Sequence, residues 1–165
     1  MTRLVIIPIS LRGQFCPLSE LCYNFKCMKA SNKKQIGELG EKIAENFLKK
    51  KGYRILDRNF FTRLALGPKT GEIDIVAKKN NVISFVEVKT IALNSMDNNL
   101  KDSSIPPEEK VNFQKQRKLI KTAQIWLSKN RMPLNKKWQI DVISIKIDLN
   151  SKKAEIKHFL NAISE

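Results

Sequence analysis

The chain has 165 residues, enough for one domain with a real core and too few for two of ordinary size. Its 31 Lys and Arg against 16 Asp and Glu leave a formal charge of +15, which favours a polyanionic partner, nucleic acid first. Cys16, Cys22 and Cys27 are the only cysteines and His158 the sole histidine, a composition that argues against a disulfide framework and a histidine-rich metal centre.

Residues 1–27 hold all three cysteines and show no clear period. Leu4–Ile9 is too short and too poorly flanked for a signal peptide. No run of about 18 apolar residues marks a membrane span, so a cytoplasmic protein that avoids the membrane is expected. Residues 1–30 are therefore read as an N-terminal extension, either poorly ordered or lying ahead of a true start at Met28. The remaining residues, 31–165, form a single domain. Without residues 1–27 the chain keeps a charge of +13.

From Gln35 the apolar residues Ile36, Leu39, Ile43, Phe47 and Leu48 recur at helical spacing. Lys49-Lys50-Lys51 followed by Gly52 is the expected helix end. Tyr53 to Phe60 reads as a strand, and residues 63–71, with Gly67, Pro68 and Gly71, as a loop. Two further strands, Glu72 to Ala77 and Val82 to Lys89, flank Asn80-Asn81. Asparagine tolerates the positive φ that a two-residue hairpin turn needs.

That turn would set opposite each other residues whose numbers add to about 161. Asp74 then opposes Glu87, Glu72 opposes Lys89, and Val76 opposes Phe85 on the same face as the two acids. Ile73, Ile75, Val86 and Val88 line the other face, so both sides carry apolar residues and the strands are expected to be central. Residues 91–109 read as a long polar loop.

A second helix is expected from about Glu108 to Asn130, with Leu119, Ile120, Ala123, Trp126 and Leu127 as its core stripe. Its other face carries Lys110, Lys115, Arg117, Lys118 and Lys121, and this is the predicted nucleic-acid-binding surface. Strands over Trp138 to Ile147 and Ala154 to Leu160 complete the chain. The order helix, three strands, helix, strand, strand predicts an α/β fold with a mixed central sheet flanked by helices.

Two carboxylates facing each other in a hairpin have Cβ atoms about 4.5–5.5 Å apart and repel unless something offsets them. Lys89, two residues after Glu87, supplies one positive charge; Mg²⁺ or Mn²⁺ bound by Asp74 and Glu87 would supply the rest. Such an ion activates a water, and Lys89 positions that water or stabilises charge developing on a phosphate. The alternative is an ordinary salt-bridged face, with Glu72 on Lys89 and Asp74 protonated or paired with a residue such as Arg63. Glu41 borders the buried face of the first helix. It is either a third acid, for a second metal or for water positioning, or a surface glutamate paired with a lysine.

Several ordered blocks resemble the bacterial YraN-type family of uncharacterised proteins. They are Gly37-x-x-Gly40-Glu41-x-x-Ala44-x-x-x-Leu48, Gly52-Tyr53-x-Ile55-Leu56 with Asn59, Gly71-Glu72-Ile73-Asp74-Ile75-Val76 and Phe85-Val86-Glu87-Val88-Lys89. Lys115-x-x-Lys118-Leu119 with Ala123 and Leu127, then Ile140-Asp141-Val142, resemble its later segments. The resemblance covers about residues 35–162. It implies a restriction-endonuclease-like core similar to the PD-(D/E)XK nucleases, including archaeal Holliday-junction resolvases. It also implies Asp74, Glu87 and Lys89 as the catalytic signature, with Glu41 as the helix acid and Asp74, Glu87 and Glu41 as metal ligands. Thr90-Ile91 stands where the family usually has a short residue and then Arg, and Leu64–Lys69 lengthens the loop before Gly71.

The resulting expectation is a Mg²⁺-dependent endonuclease that hydrolyses phosphodiester bonds, in DNA ahead of RNA, with a homodimer left open. A catalytically inactive nucleic-acid-binding module of the same fold is the alternative, and a basic ribosome- or RNA-associated protein a third.

Overall fold

A computed structural model of the protein describes residues 3–8, 33–63, 69–93, 113–133, 135–149, 151 and 153–163. In chain order the elements are β1 (Arg3–Pro8), α1 (Lys33–Lys50), β2 (Arg54–Arg63), β3 (Lys69–Lys79), β4 (Val82–Leu93), α2 (Phe113–Lys129), β5 (Trp138–Asp148) and β6 (Lys153–Ile163). The strands form one six-stranded sheet in the order β1-β6-β5-β4-β3-β2. Only β4 and β5 run parallel among these strands, and α2 lies in the crossover between them. This is the expected mixed α/β sheet flanked by two helices, consistent with a restriction-endonuclease-like fold.

The helices cover opposite faces of the sheet. Leu39, Ala44, Phe47 and Leu48 of α1 pack on Ile75, Ala77, Val86, Ile143, Ile145 and Ile147. On the other face Leu119, Ala123 and Trp126 of α2 pack on Ile73, Val76, Ile83, Phe85 and Ile140. Burial on both faces explains why β3, β4 and β5 read as near-continuous apolar runs. Helix α1 ends as its sequence predicts: Gly52 has φ 81°, its N–H reaches Lys49 O at 2.9 Å, and Tyr53 N–H reaches Leu48 O at 3.0 Å.

Several boundaries move. The last strand continues to Ile163, β2 to Arg63 and β4 to Leu93, while β3 already begins at Lys69 inside the expected loop. Helix α2 is described from Phe113; Lys110 and the rest of 94–112 lie outside the described residues. Within the segment read as an extension, β1 pairs antiparallel with β6, with Arg3 opposite His158 and Pro8 opposite Lys153. Its Val-Ile-Ile run has the branched residues that favour strands, and β6 would otherwise be the sheet edge. Residues 9–32, with the three cysteines and Met28, lie outside the described residues.

A buried polar knot joins β5 to β6. The Asp141 carboxylate, fully shielded from solvent, accepts Gln139 Nε2 at 2.8 Å and Asn161 N–H at 2.9 Å, and lies 3.2 Å from His158 Nε2. The β5–β6 register shifts between Ile140 and Val142, and Asn161 has φ 50°. Asp141 thus satisfies a main-chain donor that the irregular ladder frees. Phe47 and Tyr53 meet the His158 ring edge-on.

Candidate active site

The hairpin fixes where the candidate acids lie. Asn80 and Asn81 have φ 47° and 66°, as the turn requires, and the expected register holds from Lys79–Val82 to Ile75–Val86. There the ladder stops, so Asp74 and Glu87 are not paired across it. Instead the Asp74 carboxylate accepts the Val88 N–H at 2.7 Å, occupying the gap that opens as the strands part.

The neighbouring strand is irregular at the same level. Asn59, which the β2–β3 register sets against Asp74, has φ 50°. With its amide nitrogen turned toward them, Asn59 donates to Glu41 Oε2 at 3.1 Å and to the Asp74 carbonyl at 3.3 Å. Beyond this point the alternation of faces breaks: Ile73 packs in the α2 layer with Val76 and Phe85, not on the face of Ile75. The simple alternating pattern assumes a regular sheet on both sides of β3, whereas at Asp74 the β3–β4 ladder stops and β2 is irregular at Asn59.

Two glycines bring the helices close. A Cβ on Gly40 would lie 1.8 Å from Thr90 Oγ1, so α1 approaches β4 only because position 40 has no side chain. A Cβ on Gly71 would lie 2.0 Å from Thr122 Oγ1, which ties α2 to the start of β3 in the same way. The first approach delivers Glu41 and the second Lys115.

Glu87 is buried and is the charged hub. Its Oε1 accepts Lys89 Nζ at 2.8 Å and also Lys115 Nζ from α2. Glu72, expected opposite Lys89, pairs with Lys69 at 3.0 Å, and Arg63 lies against Phe61 rather than Asp74. The Val88 N–H is the main-chain donor that holds the Asp74 carboxylate. Burial first, then the Glu87 charge, push the Asp74 pKa up to about 7. Glu41 is also raised, by burial and by the Glu72, Glu38 and Glu87 carboxylates, against the pull of Asn59. Burial works against a charge on Lys89, but the Glu87 hydrogen bond, the Lys115 contact and the Glu87 and Asp74 charges together outweigh it and raise the Lys89 pKa.

Asp74 lines two openings. On the α1 side a cavity of about 810 Å³ is walled by Glu38, Glu41, Glu45, Asp57 and Asp74, with Lys42 and Arg58 as its cations. On the α2 side a cleft of about 270 Å³ is lined by Gly71, Glu72, Asp74, Glu87, Lys115, Lys118 and Leu119. An acidic hollow in so basic a chain suits a cation. Asp74 and Glu87 offer hard oxygen donors, which with waters match the needs of Mg²⁺. Glu41 borders them from α1; among the described residues no three Asp, Glu, His or Cys side chains converge as a ready-made metal cluster.

Helical periodicity placed Lys115 on a phosphate-facing surface, but the side chain turns into the cleft onto Glu87. Lys118 lines the same cleft, Lys121 is exposed, and Arg117 lies over the Phe113 ring at 4.6 Å. No helix among the described residues is long and apolar enough to cross a membrane.

The profile of "Uncharacterised protein family UPF0102" matches residues 40–145, which include every candidate site residue. A UPF0102 protein of Caldanaerobacter subterraneus subsp. tengcongensis is 40% identical over 138 residues, covering 82% of this chain and 99% of its own. One from Clostridium tetani is 47% identical over 116 residues, 70% of this chain and 82% of its own. One from Vibrio campbellii is 38% identical over 135 residues, 81% and 96% respectively.

Proposed function

The chain belongs to the uncharacterised protein family UPF0102, the YraN family, and from that premise we propose that it is a Mg²⁺-dependent nuclease that hydrolyses phosphodiester bonds, in DNA ahead of RNA. The observation that carries this reading is the meeting of Asp74, Glu87 and Lys89 at the break between β3 and β4. A half-buried carboxylate pushed toward neutrality beside a buried second carboxylate is a like-charge pair that costs the fold and suits a bound cation.

Asp74 and Glu87 would hold the metal, with Glu41 at its border. The bound ion would supply an activated water and charge neutralisation at the phosphate. Lys89, whose pKa is raised, stays protonated at neutral pH; it serves as a fixed positive charge toward the phosphate and not as a general base. Lys118, Arg117 and Lys121 supply cations along α2 for the backbone of the substrate.

The test is cleavage of duplex, single-stranded and branched DNA by the full chain with Mg²⁺, Mn²⁺ or EDTA. Wild type should cut with metal only, and Glu87→Gln should not cut. Absence of cutting on all three substrates with either metal would refute the nuclease reading.

A further inference from the structure

Most large apolar side chains of the described residues are covered; Phe61, Phe113, Ile125 and Leu160 are the exposed ones. The two aromatic members, Phe61 at 43% and Phe113 at 66% exposure, share two further properties. Each has cations at its ring: Arg63 at 4.9 Å and Lys69 at 4.8 Å from the Phe61 centroid, and Arg117 at 4.6 Å from that of Phe113. Each also lies beside the candidate active site. Phe61 faces Glu72 across the β2–β3 ladder, two residues (about 7 Å of strand) from Asp74. Phe113 precedes by two residues Lys115, whose Nζ lies on Glu87.

Among the described residues neither ring is explained by packing. Phe61 stands on β2, the open edge of the sheet, where an exposed aromatic is a liability unless it has a partner. Lys69 already shares its charge with Glu72 at 3.0 Å, whereas Arg63 makes no ion pair among the described residues. A ring with cations packed over it and part of its surface still exposed can stack a base on that exposed part while the cations take the flanking phosphates. The chain's charge of +15 complements that ligand.

We propose that Phe61 and Phe113, with Arg63, Lys69 and Arg117, form a two-part stacking platform for unpaired nucleobases on either side of the phosphate presented to Asp74 and Glu87. The substrate class is then nucleic acid with an unpaired strand, as at an end, gap or branch. In an intact duplex both faces of every internal base are already stacked, so the rings meet only backbone. This specifies the substrate of the proposed nuclease and rests on the chain being directed to nucleic acid; it does not require the chain to cut.

Binding measured in EDTA separates the two. Fluorescence anisotropy with a dye-labelled 20-nucleotide thymidine strand is compared with a blunt duplex of equal length, using the full chain. Wild type should prefer the single strand. Phe61→Ala with Phe113→Ala should weaken the single strand by about tenfold or more and the duplex by less than about twofold. Trp at both positions should restore single-strand affinity, which controls for damage to the fold. Equal losses on both ligands, no loss on the single strand, or failure of Trp to restore it would overturn the platform. Metal-dependent cutting that survives the double Ala change with unaltered substrate preference would overturn it while leaving the nuclease reading intact. Stacking without any cutting would do the reverse.

Discussion

The Asp74 carboxylate holds the Val88 N–H at 2.7 Å across the gap where β3 and β4 separate. One contact therefore does two things: it satisfies a main-chain donor that the broken ladder would orphan, and it fixes an acid beside Glu87. The hydrogen bond pulls the Asp74 pKa down, but burial and the Glu87 charge win and leave it near 7.

Stability should record that balance. Below pH about 4 Asp74 is protonated in folded and unfolded chains alike and carries no penalty. As pH rises toward 7 the unfolded chain releases the proton and the folded chain retains it, so stability falls; above 7 the loss is complete. Asp74→Asn, which keeps an acceptor for Val88 N–H, should stabilise the fold in EDTA at pH 8 by on the order of a few kcal/mol, read as a higher melting temperature, and change it little at pH 4. Equal changes at both pH values would mean that ionisation of Asp74 is not the cause.

Lys89 should matter to chemistry far more than to binding. Lys89→Ala is expected to lower cleavage by about 100-fold or more. It should shift DNA affinity by no more than about twofold, because it removes one of 31 cations from a summed field. A matching loss in both would make Lys89 a binding residue.

The approach of α2 to β3 depends on Gly71. Gly71→Ala places a methyl group against Thr122 Oγ1 and should cost roughly 1–3 kcal/mol in denaturant melts. Thr122→Ala in the same chain should return part of that stability. Strict additivity of the two changes would contradict the contact.

Asp141 serves the fold. Asp141→Ala removes the acceptor of the Asn161 N–H and leaves the buried His158 ring nitrogen without its partner, and should destabilise the chain by about 2–4 kcal/mol. Near-wild-type melting would show that the knot contributes nothing.

The hairpin was legible because Asn80-Asn81 carries its own turn chemistry and local spacing fixes the first five pairs. The break at Asp74 was not, since a register rule extrapolates a ladder and cannot see a side chain replacing a backbone acceptor. Ile73 was assigned to the wrong face for the same reason. Periodicity located the buried stripe of α2 but said nothing about which strand residue Lys115 would meet 28 positions earlier. The Asp141–His158 pair and the β1–β6 pairing likewise join segments distant in sequence. Gly40 and Gly71 stood out in the motif, yet only the packing gives each its reason, a threonine side chain where a Cβ would go.

Calorimetric titration of Mg²⁺ into the metal-free protein tests the proposed site most directly. Wild type should bind, and Asp74→Asn and Glu87→Gln, each confirmed as folded, should bind at least about tenfold more weakly, because each removes one of two hard anionic donors. The same affinity in wild type and Asp74→Asn would contradict the site.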